Sequence, residues 1–353
     1  DRDNTFFSAD FEALRKSGYL TINVPKELGG RGYTLAQTAR LQRRLAYHAP
    51  ATALGVNMHL YWVGVVADLW RSGDRSLEWM LREAAAGEVF AAGHSERGND
   101  IPVLLSTAKA EKVEGGFRIT GHKMFGSLAP VWTRYGLHAL WADAEGGPKV
   151  VHAFMPRDTK GYKIVETWDT MGMRATRSDD VVLEGAFVPD RYIGRVVPAG
   201  GLDYFVLAIF AWANMGFGNI YYGMAQRAAE LATTAVKGKK SMAVSRTMAY
   251  HPEVQHSMAQ LMLTLAPIGP HLEQVANDWS NGVDHGGTWP SKLVSAKHHA
   301  VEACWKIVDL AMELSGGAGM FRGSELERLF RDARCGRFHP ANSALVHEIV
   351  AKT

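Results

Sequence analysis

The sequence predicts an α+β protein of several domains: a helical N-terminal domain, a small central β-barrel or sandwich, and a C-terminal antiparallel four-helix bundle. Three observations carry that expectation. The apolar period is helical over the first ninety residues, switches to two near Val89, and returns to helical from Asp203 onward. Glycine pairs in Glu114-Gly115-Gly116 and Glu145-Gly146-Gly147 each join two alternating runs in the middle block. At 353 residues the chain is too long for one ordinary core. The expected boundaries are 1–90, 91–200 and 201–353.

Composition narrows the class. Apolar residues make up 47% and charged residues 21%, an ordinary globular balance. A net charge of +3 without any Lys/Arg run leaves no footprint for nucleic acid. Cys304 and Cys335 belong to no CxxC pair, so no disulfide framework is expected and a reducing cytoplasm is the expected compartment. The chain opens on Asp1 with neither Met nor a signal-peptide pattern, from which a missing leading segment is expected.

In chain order, Ser8 is placed to cap a helix running through Lys16 and stopping at Gly18. Val24 to Gly32 is dense in Pro and Gly and reads as a turn. Thr34 and Gln37 form a capping box ahead of a periodic run through Leu45. Ala108–Val113 with Phe117–Thr120 reads as a hairpin, and Tyr135–Ala142 with Val150–Met155 as a second of the same kind; Val181–Val188 closes the strand-rich block at Pro189. Helices follow over about 203–236, 253–281, 291–314 and 323–335, whose short connections imply an antiparallel bundle. The run from Tyr204 to Ala225 carries no charge and is long enough to span a bilayer. Asn214, Gly216, Gly218, Asn219 and Gly223 interrupt it and no basic cluster flanks it, so a helix buried in the bundle is expected, not a membrane span.

Several local motifs in this order resemble the acyl-CoA dehydrogenase superfamily over essentially the whole chain. They are Gly18–Pro25 with Leu28-Gly29-Gly30, Ser95-Glu96-Arg97-Gly98, Gly121–Ser127, Met171–Thr176, Gly223–Ala228, and Leu314–Met320 followed by Glu325–Arg334. The resemblance implies a flavoprotein oxidoreductase with non-covalent FAD between the β-domain and the bundle, in a homotetramer or dimer. Carried over, His94 and Ser95 bring backbone and hydroxyl groups to the pyrimidine end of the isoalloxazine. Phe125 stands where the family has a Trp against the flavin, and Ser127 replaces a Thr that bonds near its reactive nitrogen. Gly316 and Gly317 let backbone approach the adenosine diphosphate, and Lys239 takes the place of an Arg for the pyrophosphate of a neighbouring subunit. Ordinary strand alternation also accounts for Phe125 and Ser127, and a glycine helix cap for Gly316 and Gly317.

The resemblance fails at one chemical point. Relatives take the α-proton of an acyl thioester with a Glu just after the Arg-Asp-Ala segment or on the first bundle helix. Here the first place reads His339-Pro340-Ala341-Asn342, with no Asp or Glu between Asp332 and Glu348, and none occurs between Asp203 and Glu230. The leading expectation is oxidation of an acyl-CoA or related acyl substrate with a non-standard base, His339 or another group, passing electrons to an electron-transfer flavoprotein. The second is a two-component monooxygenase fed by a flavin reductase, in which His339 handles a proton. The third is a silent structural subunit of a hetero-oligomer. Asn99 and His59 are expected on the substrate side, while Glu96 reads as structural. No metal site is expected: His298 and His299 are adjacent on a helix and point apart.

Overall fold

The computed structural model describes residues 1–243 and 245–353. The helices are α1 (Ser8–Lys16), α2 (Leu35–His48), α3 (Pro50–Arg71), α4 (Glu78–Ala85), α5 (Tyr204–Gly238), α6 (Pro252–Leu265), α7 (Ile268–Ser280), α8 (Trp289–Ser315), α9 (Glu325–Cys335) and α10 (Ser343–Lys352). The strands are β1 (Phe90–Gly93), β2 (Lys109–Val113), β3 (Gly116–Gly126), β4 (Arg134–Trp141), β5 (Lys149–Pro156), β6 (Tyr162–Val165), β7 (Asp179–Pro189), β8 (Ile193–Pro198), β9 (Lys240–Ser241) and β10 (Arg246–Thr247). They pack as two compact units. One holds residues 1–34, 55–169 and 174–213; the other holds 35–54, 170–173 and 214–353.

The first unit is built on an eight-stranded mixed sheet in the order β6-β7-β3-β2-β4-β5-β8, with β1 parallel to β4. The first expected hairpin is present: Val113 pairs with Gly116, leaving Glu114-Gly115 as the turn. The second differs from that pattern. Its strands end at Trp141 and Lys149, because a turn closed by Gly147 N–H to the Ala144 carbonyl and then Pro148 stands between them. Aromatic burial anchors this unit: Trp62 meets Phe154 edge-on at 4.8 Å and donates its indole N–H to the Ala91 carbonyl at 3.1 Å. Serine at position 8 is the first helical residue of α1, and Phe7 holds the cap position without a side-chain bond. Asp10 in the first turn supplies the favourable charge there.

In the second unit α8 is the hub, packed against α6, α7, α9 and α10, while α2 packs on α7. Its core is formed by Ile220, Leu272, Leu293, Val294, Cys304, Val308 and Leu329, all buried. The helix expected over 253–281 is two helices. Ala266 and Pro267 part them, since a proline has no N–H for the ladder and its ring crowds the preceding turn. The β9–β10 hairpin and α10 were not expected. Asn342 caps α10 by accepting the Leu345 N–H at 3.1 Å. Cys304 and Cys335 are free thiols. Among the described residues no helix is long and apolar enough to cross a membrane, and no cluster of His, Cys, Asp and Glu is arranged to hold a metal ion.

Candidate functional site

In the first unit the chemistry gathers where β3 leaves β7. The β3–β7 register shifts between Lys123 and Gly126, so Met124 and Phe125 form a bulge. Met124 pairs instead with Ser95, donating its N–H to the Ser95 carbonyl at 2.9 Å. Phe125 has φ 58°, a conformation a bulky side chain adopts only under constraint, and its ring stays 46% exposed, edge-on to Trp168 at 5.9 Å. Ser127 is buried, its Oγ 2.8 Å from Ser178 Oγ, which is in turn 2.6 Å from Thr176 Oγ1. A hydroxyl can donate once and accept twice, so this chain leaves Ser127 further capacity. The Ser95 hydroxyl makes no hydrogen bond among the described residues.

Behind this edge lies a dry polar cluster. Lys123 is fully buried and donates to Glu96 Oε1 and to the His138 carbonyl, each at 2.5 Å. Glu96 also accepts from Ser106 Oγ at 2.6 Å and the Thr107 N–H at 2.8 Å. Burial pulls the Lys123 ammonium down to about 8 against the raising influence of Glu96. His94 points inward, its Nδ1 3.3 Å from Tyr61 Oη and its Nε2 buried without a partner, so only its backbone faces outward chemistry. Beside it His152 is buried with both ring nitrogens unpartnered, and burial holds it down at about 3. Glu96 therefore ties loop to strand, as expected.

In the second unit the chemistry gathers around His339. The residue follows a 3₁₀ turn over Gly336–Phe338, and its ring lies flat on Phe217, centroids 4.6 Å apart and planes 9° apart. His339 Nε2 is 2.8 Å from Tyr221 Oη. Gly336 lets this happen: a Cβ there would lie 2.8 Å from the Tyr221 ring. Burial, reinforced by the Lys297 ammonium, holds the imidazole down at about 3, and burial drives the Tyr221 phenol far above its usual range. Both rings are therefore neutral near pH 7. Tyr221 has no other acceptor among the described residues, which favours its O–H donating to Nε2 and the ring proton standing on Nδ1. His339 Nδ1 makes no hydrogen bond among the described residues. In that tautomer the imidazole presents an N–H donor at Nδ1, not a lone pair.

A further group of this unit lies at the end of α8. Gly316 ends that helix at φ 70°, where a left-handed residue terminates the ladder. A side chain added there would come 3.1 Å from Lys239 Nζ, so Gly316 and Lys239 share one place; Gly317 follows, exposed. On α9, Asp332 accepts the Met173 N–H at 2.5 Å and Arg331 donates to the Met171 carbonyl at 2.9 Å. The Arg-Asp pair of the closing motif thus fastens the Met171–Met173 segment.

Two expected substrate residues are spent on structure. His59 is buried, receives the Phe90 N–H at Nδ1 at 3.1 Å, and donates from Nε2 to the Leu20 carbonyl at 2.8 Å. Asn99 donates to Glu96 at 2.9 Å and to the Leu105 carbonyl at 2.8 Å, and accepts the Ile101 N–H at 3.1 Å. Neither retains a free polar group aimed at a ligand. His298 and His299 turn to different neighbours, His347 at 5.9 Å and His271 at 5.8 Å. Reading the sequence missed Phe217, Tyr221 and Lys297. The legible signal was Lys297, a lone charge in the apolar series Leu293, Val301 and Cys304 on α8.

The class of protein is given by comparison with known proteins: a flavin-dependent oxidoreductase of the acyl-CoA dehydrogenase kind. Residues 215–344 match the family model for the acyl-CoA dehydrogenase C-terminal domain. The chain is 30% identical to the amino sugar nitrososynthase of Streptomyces peucetius over 97% of its own length and 85% of that protein. It is 26% identical to a putative acyl-CoA dehydrogenase of Bacillus subtilis, over 100% of this chain and 91% of that one. A solved structure of KijD3 with FMN and a dTDP-linked amino sugar superposes with a TM-score of 0.86 at 25% identity, covering 99% of this chain and 87% of that one. The chain belongs to the acyl-CoA dehydrogenase superfamily, and the KijD3 structure it resembles holds a flavin, FMN. The residues present suit that group. Within the first unit an exposed aromatic ring and an unengaged Ser95 hydroxyl suit a flat, hydrogen-bonding group, and within the second unit, taken by itself, a glycine turn beside an ammonium suits an anionic one.

Proposed function

We propose that this protein is a flavin-dependent monooxygenase that oxidises the nitrogen of a small amine, drawing reduced flavin from a separate reductase. The observation that carries this reading is the 2.8 Å contact of Tyr221 Oη with His339 Nε2, which we read as fixing the ring tautomer. Abstraction of a carbon-bound proton needs a lone pair at the open nitrogen, whereas in the tautomer that donation by the Tyr221 hydroxyl favours, Nδ1 bears a proton. A fixed N–H suits an oxygen that gains negative charge. The balanced reaction is R–NH2 + O2 + two electrons + two protons giving R–NHOH + H2O. Bound flavin supplies the two electrons and the activation of O2. His339 donates a hydrogen bond from Nδ1, Tyr221 holds Nε2, and Phe217 keeps the ring plane. The nitrososynthase likeness supports the amine as substrate class.

Oxidation of an acyl-CoA is the second reading, favoured by the likeness to the Bacillus subtilis protein. FAD is the flavin we favour, because Gly316, Gly317 and Lys239 offer a place for a pyrophosphate. A homo-oligomer of the superfamily type accompanies the reading.

The test supplies the purified chain with a flavin reductase, NADH, O2 and a panel of amines, including nucleotide-linked amino sugars, and follows hydroxylamine or nitroso products by mass spectrometry. Product formation is expected, with His339→Ala slower by about 100-fold or more. Bleaching of bound flavin by an acyl-CoA without O2, with no amine product, would overturn the reading.

A further inference from the structure

We propose that Lys297 is a positioning residue for His339: its buried ammonium ties together the carbonyls on either side of Pro340 and so sets the place and protonation of the imidazole. The inference deepens the role proposed for His339.

Lys297 lies on α8 with 2% of its surface exposed. Its Nζ donates to the Ala341 carbonyl at 2.8 Å and to the His339 carbonyl at 3.2 Å. Among the described residues neither carbonyl accepts a backbone N–H, and no carboxylate lies within 4.0 Å of Nζ. An amine has thus been buried to serve two neutral acceptors, and burial pulls its ammonium down to about 7. That is costly, and an amide or hydroxyl would satisfy the carbonyls without it. What the ammonium adds, while protonated, is a positive charge at the His339 backbone, opposing a second proton on the ring.

The surroundings leave Lys297 as the group that does this. On α8, Glu302 is the nearest opposite influence on Lys297, but Arg337 holds its carboxylate at 2.8 and 2.5 Å. His298 on α8 and His347 on α10 face each other at 5.9 Å. On α5, Tyr221 stays protonated; on α9, Asp332 and Cys335, with Cys304 of α8, act on Tyr221. Lys297 is the charged group acting on His339 itself.

The test is a titration of the full chain, free of substrate, with its histidine rings labelled with ¹⁵N and His339 assigned through His339→Gln. In the native chain the His339 signals should keep the neutral, Nδ1-protonated pattern from pH 8 to pH 5. Lys297→Met should shift the imidazole midpoint up, toward the ordinary value near 6.5, far enough that a protonated fraction appears by pH 5. Lys297→Arg, which keeps the charge, should restore the native pattern. If Lys297→Met does not fold, Lys297→Gln takes its place, since it retains a donor for the carbonyls and loses only the charge. Native ring shifts and midpoint in a folded, uncharged variant would sink the proposal and leave Lys297 a structural clamp. Because the readout needs no substrate or turnover, its outcome is separate from whether the chain oxidises amines.

Discussion

Tyr221 determines what His339 can do. With the phenol present, the ring proton is confined to Nδ1; without it, both neutral tautomers become available and the donor is diluted. Tyr221→Phe should therefore lower turnover by roughly tenfold or more while His339 remains in place. The same change removes one buried hydrogen bond and should cost about 1 kcal/mol, read as a lower urea midpoint with an unaltered slope. Unchanged turnover in a folded variant would remove the tautomer argument. His339 was visible in the sequence because an expected carboxylate was missing at its place. Tyr221 and Phe217 were not, because on a charge-free helix an aromatic residue reads as core whether or not its polar tip is in use. His59 misled for the opposite reason: a buried imidazole satisfied at both nitrogens looks, in one dimension, like a free one.

At the level of elements, the end of α8 bears on which flavin is held. If Gly316, Gly317 and Lys239 receive a pyrophosphate, Lys239→Ala should weaken FAD binding by roughly tenfold and leave FMN binding unchanged, since FMN lacks the second phosphate. Fluorescence titration with each flavin reads the difference, and equal losses for both would remove Lys239 from the site. Here the sequence was informative about the glycines and the helix end, because a helix stop is a local event. It was less informative about 253–281, where a continuous apolar period outweighed Pro267. The bulge at Met124 and Phe125 was also hidden, since a bulge is set by the register of β7, more than fifty residues away.

For the molecule as a whole, buried imidazoles dominate the response to acid. His59 is held at about 4, His152 and His339 at about 3, and His94 and His138 well below the usual value, each chiefly by burial. Between about pH 6.5 and pH 4 the unfolded chain binds protons that the native one refuses, so stability rises with pH across that window and is lost as pH falls through it. Unfolding near pH 5 should take up on the order of five protons, and thermal midpoints at pH 7.5, 6 and 5 should fall steadily. A flat profile would mean that these groups are solvated. On the alkaline side the sign is the same. Lys123 at about 8 and Lys297 at about 7 lie below their unfolded value, so stability rises as pH climbs from about 7 toward 10.

By itself the sequence determined the α-β-α order, the superfamily, the likeness to flavoproteins and the absence of the usual carboxylate. Each of these is written in periodicity, in local turn chemistry or in the identity of one residue at one spacing. Only the tertiary structure decided which polar atoms are already engaged. It closed His59 inside the fold, spent Asn99 on Glu96 and the Leu105 carbonyl, brought Tyr221 and Lys297 to His339, and set Lys123 against Glu96. The reason is physical: a hydrogen bond between residues a hundred positions apart leaves no local trace, yet in a buried site it decides where the proton sits.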